Sequence, residues 1–226
     1  MKFKGLLLDI DHTIYNYDIA HQKGFEAVID FCTEILKLNK KEVLFAFTVA
    51  RKKVHIELSE TAASHNRLLY FQKMLELLNL NPLQYSLAIY NFYWDTFLEN
   101  MKPFDGIYDI LEMYKGKICL VTDLTAHIQY RKIEVLGIHK YCQYIVTSEE
   151  AGKEKPHPYM FMMGLQKLNL NPADVCMIGD SFKKDIFGSS NLGIKSIWVN
   201  HKRQKEDYNT SLVTEVDEVK QIVNLV

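Results

Sequence analysis

Residues 5–13 read Gly-Leu-Leu-Leu-Asp-Ile-Asp-His-Thr: an apolar run that stops on Asp9, with a second acid, Asp11, one alternation further on. A run apolar at nearly every position fits a strand buried on both faces, as in the interior of a parallel sheet, better than a strand with one wet face. Taken as residues 3–8, it is the first of five such runs, the others being 117–121, 144–146, 175–178 and 196–199. Helical periodicity fills 127–136, 158–168 and 184–192 after the second, third and fourth of them. Strand, helix, strand in that rhythm predicts a parallel sheet with covered faces. From about Thr210 the chain reads as a short strand or turn and a final amphipathic helix.

Residues 15–102 differ. They hold no comparable strand run, and residues 20–36 and 66–80 carry apolar side chains at three- and four-residue spacing, as in Leu68, Leu69, Phe71, Leu75 and Leu78. Asn81-Pro82 starts another helix, which runs through Tyr90, Phe92, Trp94, Phe97 and Leu98. That aromatic density reads as the packed interior of a helical bundle in preference to a ligand surface. The expected organisation is an α/β core of residues 1–14 and 103–226, with an all-helical insertion at 15–102 directly after the first strand.

Composition narrows the function classes. The 226 residues include 27 basic and 28 acidic side chains, for a formal net charge of −1. That balance gives no electrostatic footprint for a nucleic acid polymer. No apolar run approaches a membrane span, and Asp9 and Asp11 interrupt the N-terminal apolar stretch too early for a signal peptide. Cys32, Cys119, Cys142 and Cys176 are far apart without metal-ligand spacing, which fits reduced cysteines in a cytoplasmic protein, monomeric or homodimeric.

In an open parallel sheet ligands collect beyond the carboxyl ends of the strands. The first strand delivers Asp9 and Asp11 there, and the second Thr122 and Asp123. The third strand leads to Lys155-Pro156, and the fourth to Gly179-Asp180-Ser181, with Asp185 shortly after. Singly each has an ordinary explanation: an N-cap aspartate, a turn threonine, a solvated lysine. Four strand ends delivering polar groups to one rim are a constellation.

These residues resemble the four motifs of the haloacid dehalogenase-like hydrolase superfamily. Asp9-Ile10-Asp11-His12-Thr13 is similar to its first motif, Thr122 to the second, Lys155 to the third, and Gly179-Asp180-Ser181 with Asp185 to the fourth. The resemblance implies a Rossmann-like α/β core with a parallel sheet, and the helical insertion is similar to the family's C1 cap. It implies Mg²⁺ held by the Asp9 and Asp180 side chains and the backbone carbonyl of Asp11, with Asp185 orienting that shell. Asp9 is then the expected nucleophile, Asp11 the acid and base, and Thr122 and Lys155 the phosphate-binding groups. Lys153 is a neighbouring rival to Lys155, and Lys155 is preferred because Lys-Pro matches the family. His12 occupies a variable place in the motif and is read as orienting or exposed. Asp123 stands where many relatives carry Asn or another small polar residue; it is left out of the site and expected to point away or to bond a neighbouring loop.

Electrostatics supports the same assignments. A carboxylate attacking a phosphomonoester dianion meets about 4 kcal/mol of repulsion per unit-charge pair at ~4 Å and an effective dielectric of ~20. A divalent cation among clustered carboxylates offsets it. Because Asp11 is present, dehalogenation, whose leaving group needs no proton, is disfavoured. Phosphonate cleavage lacks a clear Schiff-base lysine, and the membrane-spanning ion pumps of the superfamily are excluded. The expected activity is Mg²⁺-dependent hydrolysis of a small phosphorylated metabolite. The chain looks most similar to C1-capped phosphatases of the 5′-nucleotidase, N-acylneuraminate phosphatase and phosphoglycolate phosphatase kinds. A phosphomutase, a dehalogenase-type hydrolase and a non-catalytic binding protein are the alternatives. Tyr15, Tyr17, Arg51, His55, Arg67 and Trp94 are candidate cap residues for substrate choice, each as readily surface or packing.

Overall fold

The computed structural model describes residues 3–226. The chain falls into two compact units, one formed by the chain up to Asn16 and again from Lys102, the other by Tyr17–Met101.

In chain order, β1 (Gly5–Leu8) precedes four long helices: α1 (Tyr17–Asp30), α2 (Lys40–Glu57), α3 (Arg67–Leu77) and α4 (Pro82–Glu99). The α/β unit resumes with α5 (Ile107–Met113), β2 (Ile118–Thr122), α6 (Ala126–Val135), β3 (Tyr144–Thr147), α7 (Ser148–Ala151), α8 (Pro158–Leu168) and β4 (Val175–Gly179). It ends with α9 (Phe187–Ser190), β5 (Lys195–Val199) and β6 (Val213–Val216).

The described strands form one parallel sheet in the order β3-β2-β1-β4-β5-β6. β1 lies inside it, with Leu8 level with Leu120 of β2 and Ile178 of β4. All four β1 residues are buried, as a strand covered on both faces requires. On one face Leu7, Cys119, Val121, Val146 and Met177 pack against Met160, Phe161 and Leu165 of α8. The order reverses at β1, with β2 and β3 laid down on one side and β4, reached from β3, on the other, and this puts the crevice for a ligand beside Asp9.

Three helices of the helical unit start on asparagine. Asn39, Asn66 and Asn81 each accept a hydrogen bond from the backbone N–H two residues on, at 2.8, 2.9 and 2.9 Å. These bonds satisfy orphan donors of α2, α3 and α4, and Pro82 stands at the first turn of α4, where a missing N–H costs nothing. α1 and α4 approach closely at Gly24, where a Cβ would meet the carbonyl oxygen of Tyr93 at 2.7 Å. The aromatic run of α4 is largely interior: Tyr93, Trp94 and Phe97 are buried, with Trp94 edge-on to Phe97 at 5.0 Å, while Phe92 is exposed.

Some elements differ from the sequence reading. Residues 20–36 are not one regular helix, because α1 widens into a π-type turn at Phe31–Ile35. Residues 184–192 likewise divide between a π-type turn at Phe182–Ile186 and the short α9. The final helix is a 3-10 segment, Val219–Asn224. Tyr15 stays with the α/β unit, held by a backbone bridge to Pro103 and a bond from its hydroxyl to Asp11.

Candidate active site

Asp9 follows β1 directly, and its N–H donates to the carbonyl of Ile178 at 3.0 Å, which continues the sheet by one residue and holds the side chain over the strand ends. Its carboxylate is buried. Oδ1 accepts from Lys155 Nζ at 2.5 Å, and Oδ2 accepts from the Thr13 hydroxyl at 3.3 Å. The same ammonium donates to Asp185 Oδ1 at 2.6 Å. Lys155 is therefore a buried cation shared by two acids. Lys153 is exposed.

Asp180 sits just past β4, and the Trp198 indole N–H, from β5, donates to its backbone carbonyl at 2.9 Å. Asp185 Oδ2 accepts from the Ser181 N–H at 3.0 Å, which folds the following turn back onto the strand end. Glycine at 179 makes this possible: a Cβ there would stand 2.5 Å from the Asp185 carboxylate. Carboxylate oxygens of Asp9, Asp180 and Asp185 lie within 4.8 Å of one another.

That crowding has an electrostatic signature. Burial pushes Asp9 up to about 7, with Lys155 pulling down and Asp185 and Asp11 pushing up. Burial, reinforced by Asp185 and Asp9, pushes Asp180 up to about 8. For Lys155, burial disfavours the charge, but Asp185, Asp9 and Asp123 outweigh it and hold the ammonium well above its ordinary range. Hard oxygen donors that retain protons to neutral pH for want of positive charge fit a divalent cation.

The crowding fixes a pH dependence of stability. Asp9 and Asp180 have folded-state values above their unfolded ones, so the folded chain binds more protons, and stability falls as pH rises through about 7 and 8. His21 and His201 are lowered, mainly by burial, and act in the opposite sense only below about pH 6.5. In EDTA the melting temperature is expected to drop between pH 6.5 and 8.5, and Mg²⁺ is expected to restore most of the loss at pH 8.5. A flat or rising profile in EDTA over that window rules this out.

Asp11 is placed differently from Asp9. Its carboxylate accepts from Lys132 Nζ at 2.7 and 2.8 Å, from the Tyr15 hydroxyl, and from Gln129 Nε2 at 3.3 Å. Burial raises its pKa, but Lys132, Tyr15 and Gln129 more than reverse this and leave it below the usual value. Thr122, at the end of β2, is buried; its hydroxyl oxygen accepts from Gln129 Nε2 at 2.8 Å. The sequence reading placed all of the acids on one rim, and the geometry subdivides them: Asp9, Asp180 and Asp185 around Lys155, and Asp11 on Lys132.

Three polar residues escaped that reading or were set aside by it. Lys132 and Gln129 lie in α6, within the helical stretch 127–136, and were not singled out. Asp123 was left out, and it bonds a neighbouring loop as one of its two readings had it: Oδ1 accepts from the Lys155 backbone N–H at 2.9 Å and Oδ2 from Lys184 at 2.7 Å. His12 is half-buried with φ of 63°, and its carbonyl oxygen lies 3.1 Å from His201 Nε2.

Within the helical unit, Arg67 is buried among tyrosines. Its guanidinium donates to the Tyr17 hydroxyl, to Tyr93 Oη at 3.4 Å and to the carbonyl of His65 at 2.8 Å, and lies 5.0 Å from the centre of the Tyr70 ring. Arg51 is exposed, and His55 Nε2 lies 2.6 Å from the Tyr70 hydroxyl.

The chain is 32% identical over 198 residues to a ribulose-1,5-bisphosphate 5-phosphatase of Halopiger xanaduensis, covering 85% of this chain and 83% of that one. It is 25% identical to a pyrimidine 5′-nucleotidase of Escherichia coli over 99% of both. A solved HAD phosphatase from Thermococcus onnurineus shares the fold, with a TM-score of 0.75, 20% identity, and coverage of 100% of this chain and 97% of that one. Residues 6–199 match the family described as haloacid dehalogenase-like hydrolase, and the chain belongs to it.

Proposed function

We infer that the protein is a Mg²⁺-dependent phosphatase acting on a small phosphomonoester of the nucleotide or sugar-phosphate type through a phosphorylated Asp9. The observation that carries this is the set at the strand ends: a buried Asp9 bonded to Lys155 and crowded by Asp180 and Asp185. The named relatives act on ribulose bisphosphate and on pyrimidine nucleotides, and they support a small phosphorylated metabolite as substrate.

In this reading Asp9 attacks phosphorus, the P–O bond to the leaving alcohol breaks, and Asp11, which must first take up a proton from solvent against the pull of Lys132, gives it to that oxygen. Asp11 then takes a proton from the water that attacks the aspartyl-phosphate, so that Asp9 is regenerated and inorganic phosphate leaves. Lys155 places a positive charge against Asp9 and the transferring group. With Gln129 donating to it, the Thr122 hydroxyl would turn its own proton from the Asp123 carbonyl, 3.3 Å away, to a phosphoryl oxygen. Asp9 and Asp180, with Asp185 beside them, would hold Mg²⁺, which supplies charge to offset the repulsion between carboxylate and phosphate. The Asp11 backbone carbonyl is the further ligand the family resemblance suggests.

The four cysteines are free, and no helix among the described residues is long and apolar enough to cross a membrane. The free cysteines support placing the reaction in the cytoplasm. The test is phosphate release from a panel of nucleotides and sugar phosphates with Mg²⁺ or EDTA. Release that needs the metal is expected, and the ranking names the substrate class; no release from any member overturns the reading in favour of a binding protein.

A further inference from the structure

Helix α6 turns two polar side chains, Gln129 and Lys132, into the protein interior, one helical turn apart. Both are fully buried. An ammonium group withdrawn from water is expensive unless it meets an opposite charge at close range. Asp11 supplies that charge, with both carboxylate oxygens within 2.8 Å of Lys132 Nζ. Asp11 keeps about 29% of its side chain exposed, so the pair is asymmetric: the lysine is sealed and the carboxylate remains reachable.

The pair is also part of a wider frame. The Tyr15 hydroxyl donates to Asp11 Oδ1 and the Gln129 amide to Oδ2. The two hydrogens of that amide serve three acceptors. Its shorter contacts are to Thr122 Oγ1 at 2.8 Å and the Asp123 carbonyl at 2.7 Å, so the 3.3 Å contact to Asp11 shares a hydrogen with one of them. Its Oε1 has no hydrogen-bond partner among the described residues, so the amide is oriented by what its N–H groups reach. An isolated structural ion pair needs no such frame. A carboxylate that must face one atom of a substrate does, because an unrestrained aspartate has several rotamers and only one is useful.

We propose that Lys132 is a positioning residue for the phosphatase: it fixes the Asp11 carboxylate in the orientation that serves the leaving oxygen, with Gln129 aligning Thr122 from the same helix. This rests on the phosphatase reading above. In this proposal Lys132 serves the reaction through Asp11, so its effect on kcat disappears once that carboxylate is gone.

A double-mutant cycle on the full chain reads this directly. With Mg²⁺ and an alkyl phosphate such as glycerol phosphate, Lys132→Met is expected to lower kcat by about 10²-fold, with KM within about twofold of native. Adding Lys132→Met to Asp11→Asn is expected to cost less than about threefold more. With p-nitrophenyl phosphate, whose leaving group needs no proton, the first-turnover burst of nitrophenolate should survive in Lys132→Met while steady turnover slows. Should Lys132→Met not fold, Lys132→Gln takes its place in the same cycle. Losses that multiply, or an effect confined to KM, overturn the proposal and leave the phosphatase intact. A native chain that releases no phosphate overturns the phosphatase, and this inference with it.

Discussion

Asp9→Asn is expected to abolish phosphate release while leaving the fold at least as stable as native at pH 8 without metal. The two halves follow from the same geometry. An amide in place of the carboxylate has no oxygen able to form the covalent intermediate, and losing a nucleophile costs about 10⁴-fold or more in kcat. The substitution also removes one of three acids whose oxygens lie within 4.8 Å. Near pH 8 the native Asp9 is ionised, with its pKa at about 7, and it is repelled by Asp185 and Asp11. Asparagine takes that repulsion away, and Lys155 keeps Asp185 as its partner at 2.6 Å. A residue kept against the interest of stability is what a site maintained for chemistry contains. Steady-state kinetics and melting in EDTA read both halves. Turnover above about a tenth of native would remove Asp9 from the nucleophile's role, and a large fall in melting temperature would make it a structural acid.

The legible parts of the sequence were those whose physics is local. A strand covered on both faces has to be apolar at every position, so β1, β2 and β4 announced themselves, and with them the places where a parallel sheet presents its ligands. β6 was less distinct because it lies at the sheet edge: Val213 and Val216 are buried, but Thr214 and Glu215 between them face water. The asparagine starts of helices were partly visible, Asn81-Pro82 being the clearest. The breaks at Phe31–Ile35 and Phe182–Ile186 were not, since a widened turn depends on what packs against it and leaves the apolar spacing almost unchanged.

The frame around Asp11 was illegible for another reason. A glutamine and a lysine three apart on a helix commonly belong to a solvated face, whereas here the fold turns them inward. One signal was available: Ile128, Lys132 and Leu136 recur at four-residue spacing, so the lysine stands in the middle of a buried stripe. A charge in that position needs a counter-charge in the core, and Asp11 is close enough to meet it. Asp123 was set aside because a further carboxylate near bound phosphate looked unhelpful. Its charge is instead spent on Lys184 and on the backbone of Lys155, where it secures the loop that carries the site's lysine.

Lys155→Met should strongly destabilise the metal-free fold. The Lys155 side chain is about 3% exposed, and its ammonium touches Asp9 and Asp185 at 2.5 and 2.6 Å. Methionine matches the stem but leaves buried acids without their shared cation, and removing one partner of a buried pair costs about 3–5 kcal/mol. In a chain of this size that corresponds to roughly 10 °C in melting temperature. The loss must depend on pH, because the acids escape their repulsion by binding protons. Asp9 and Asp180 are already raised by burial and neighbouring carboxylates, and removing Lys155, which lowers both, raises them further. The folded variant then binds more protons than the unfolded chain over a wider range, so its deficit against native shrinks as pH falls. The deficit should be largest in EDTA near pH 8.5 and smaller near pH 6, and Mg²⁺ should narrow it at pH 8.5 by replacing the missing charge. Turnover should stay low even with Mg²⁺ present if Lys155 meets the transferring group as proposed. Equal destabilisation at pH 6 and 8.5 would mean that methionine fails through packing, and native turnover in the Mg²⁺-bound variant would confine Lys155 to stability.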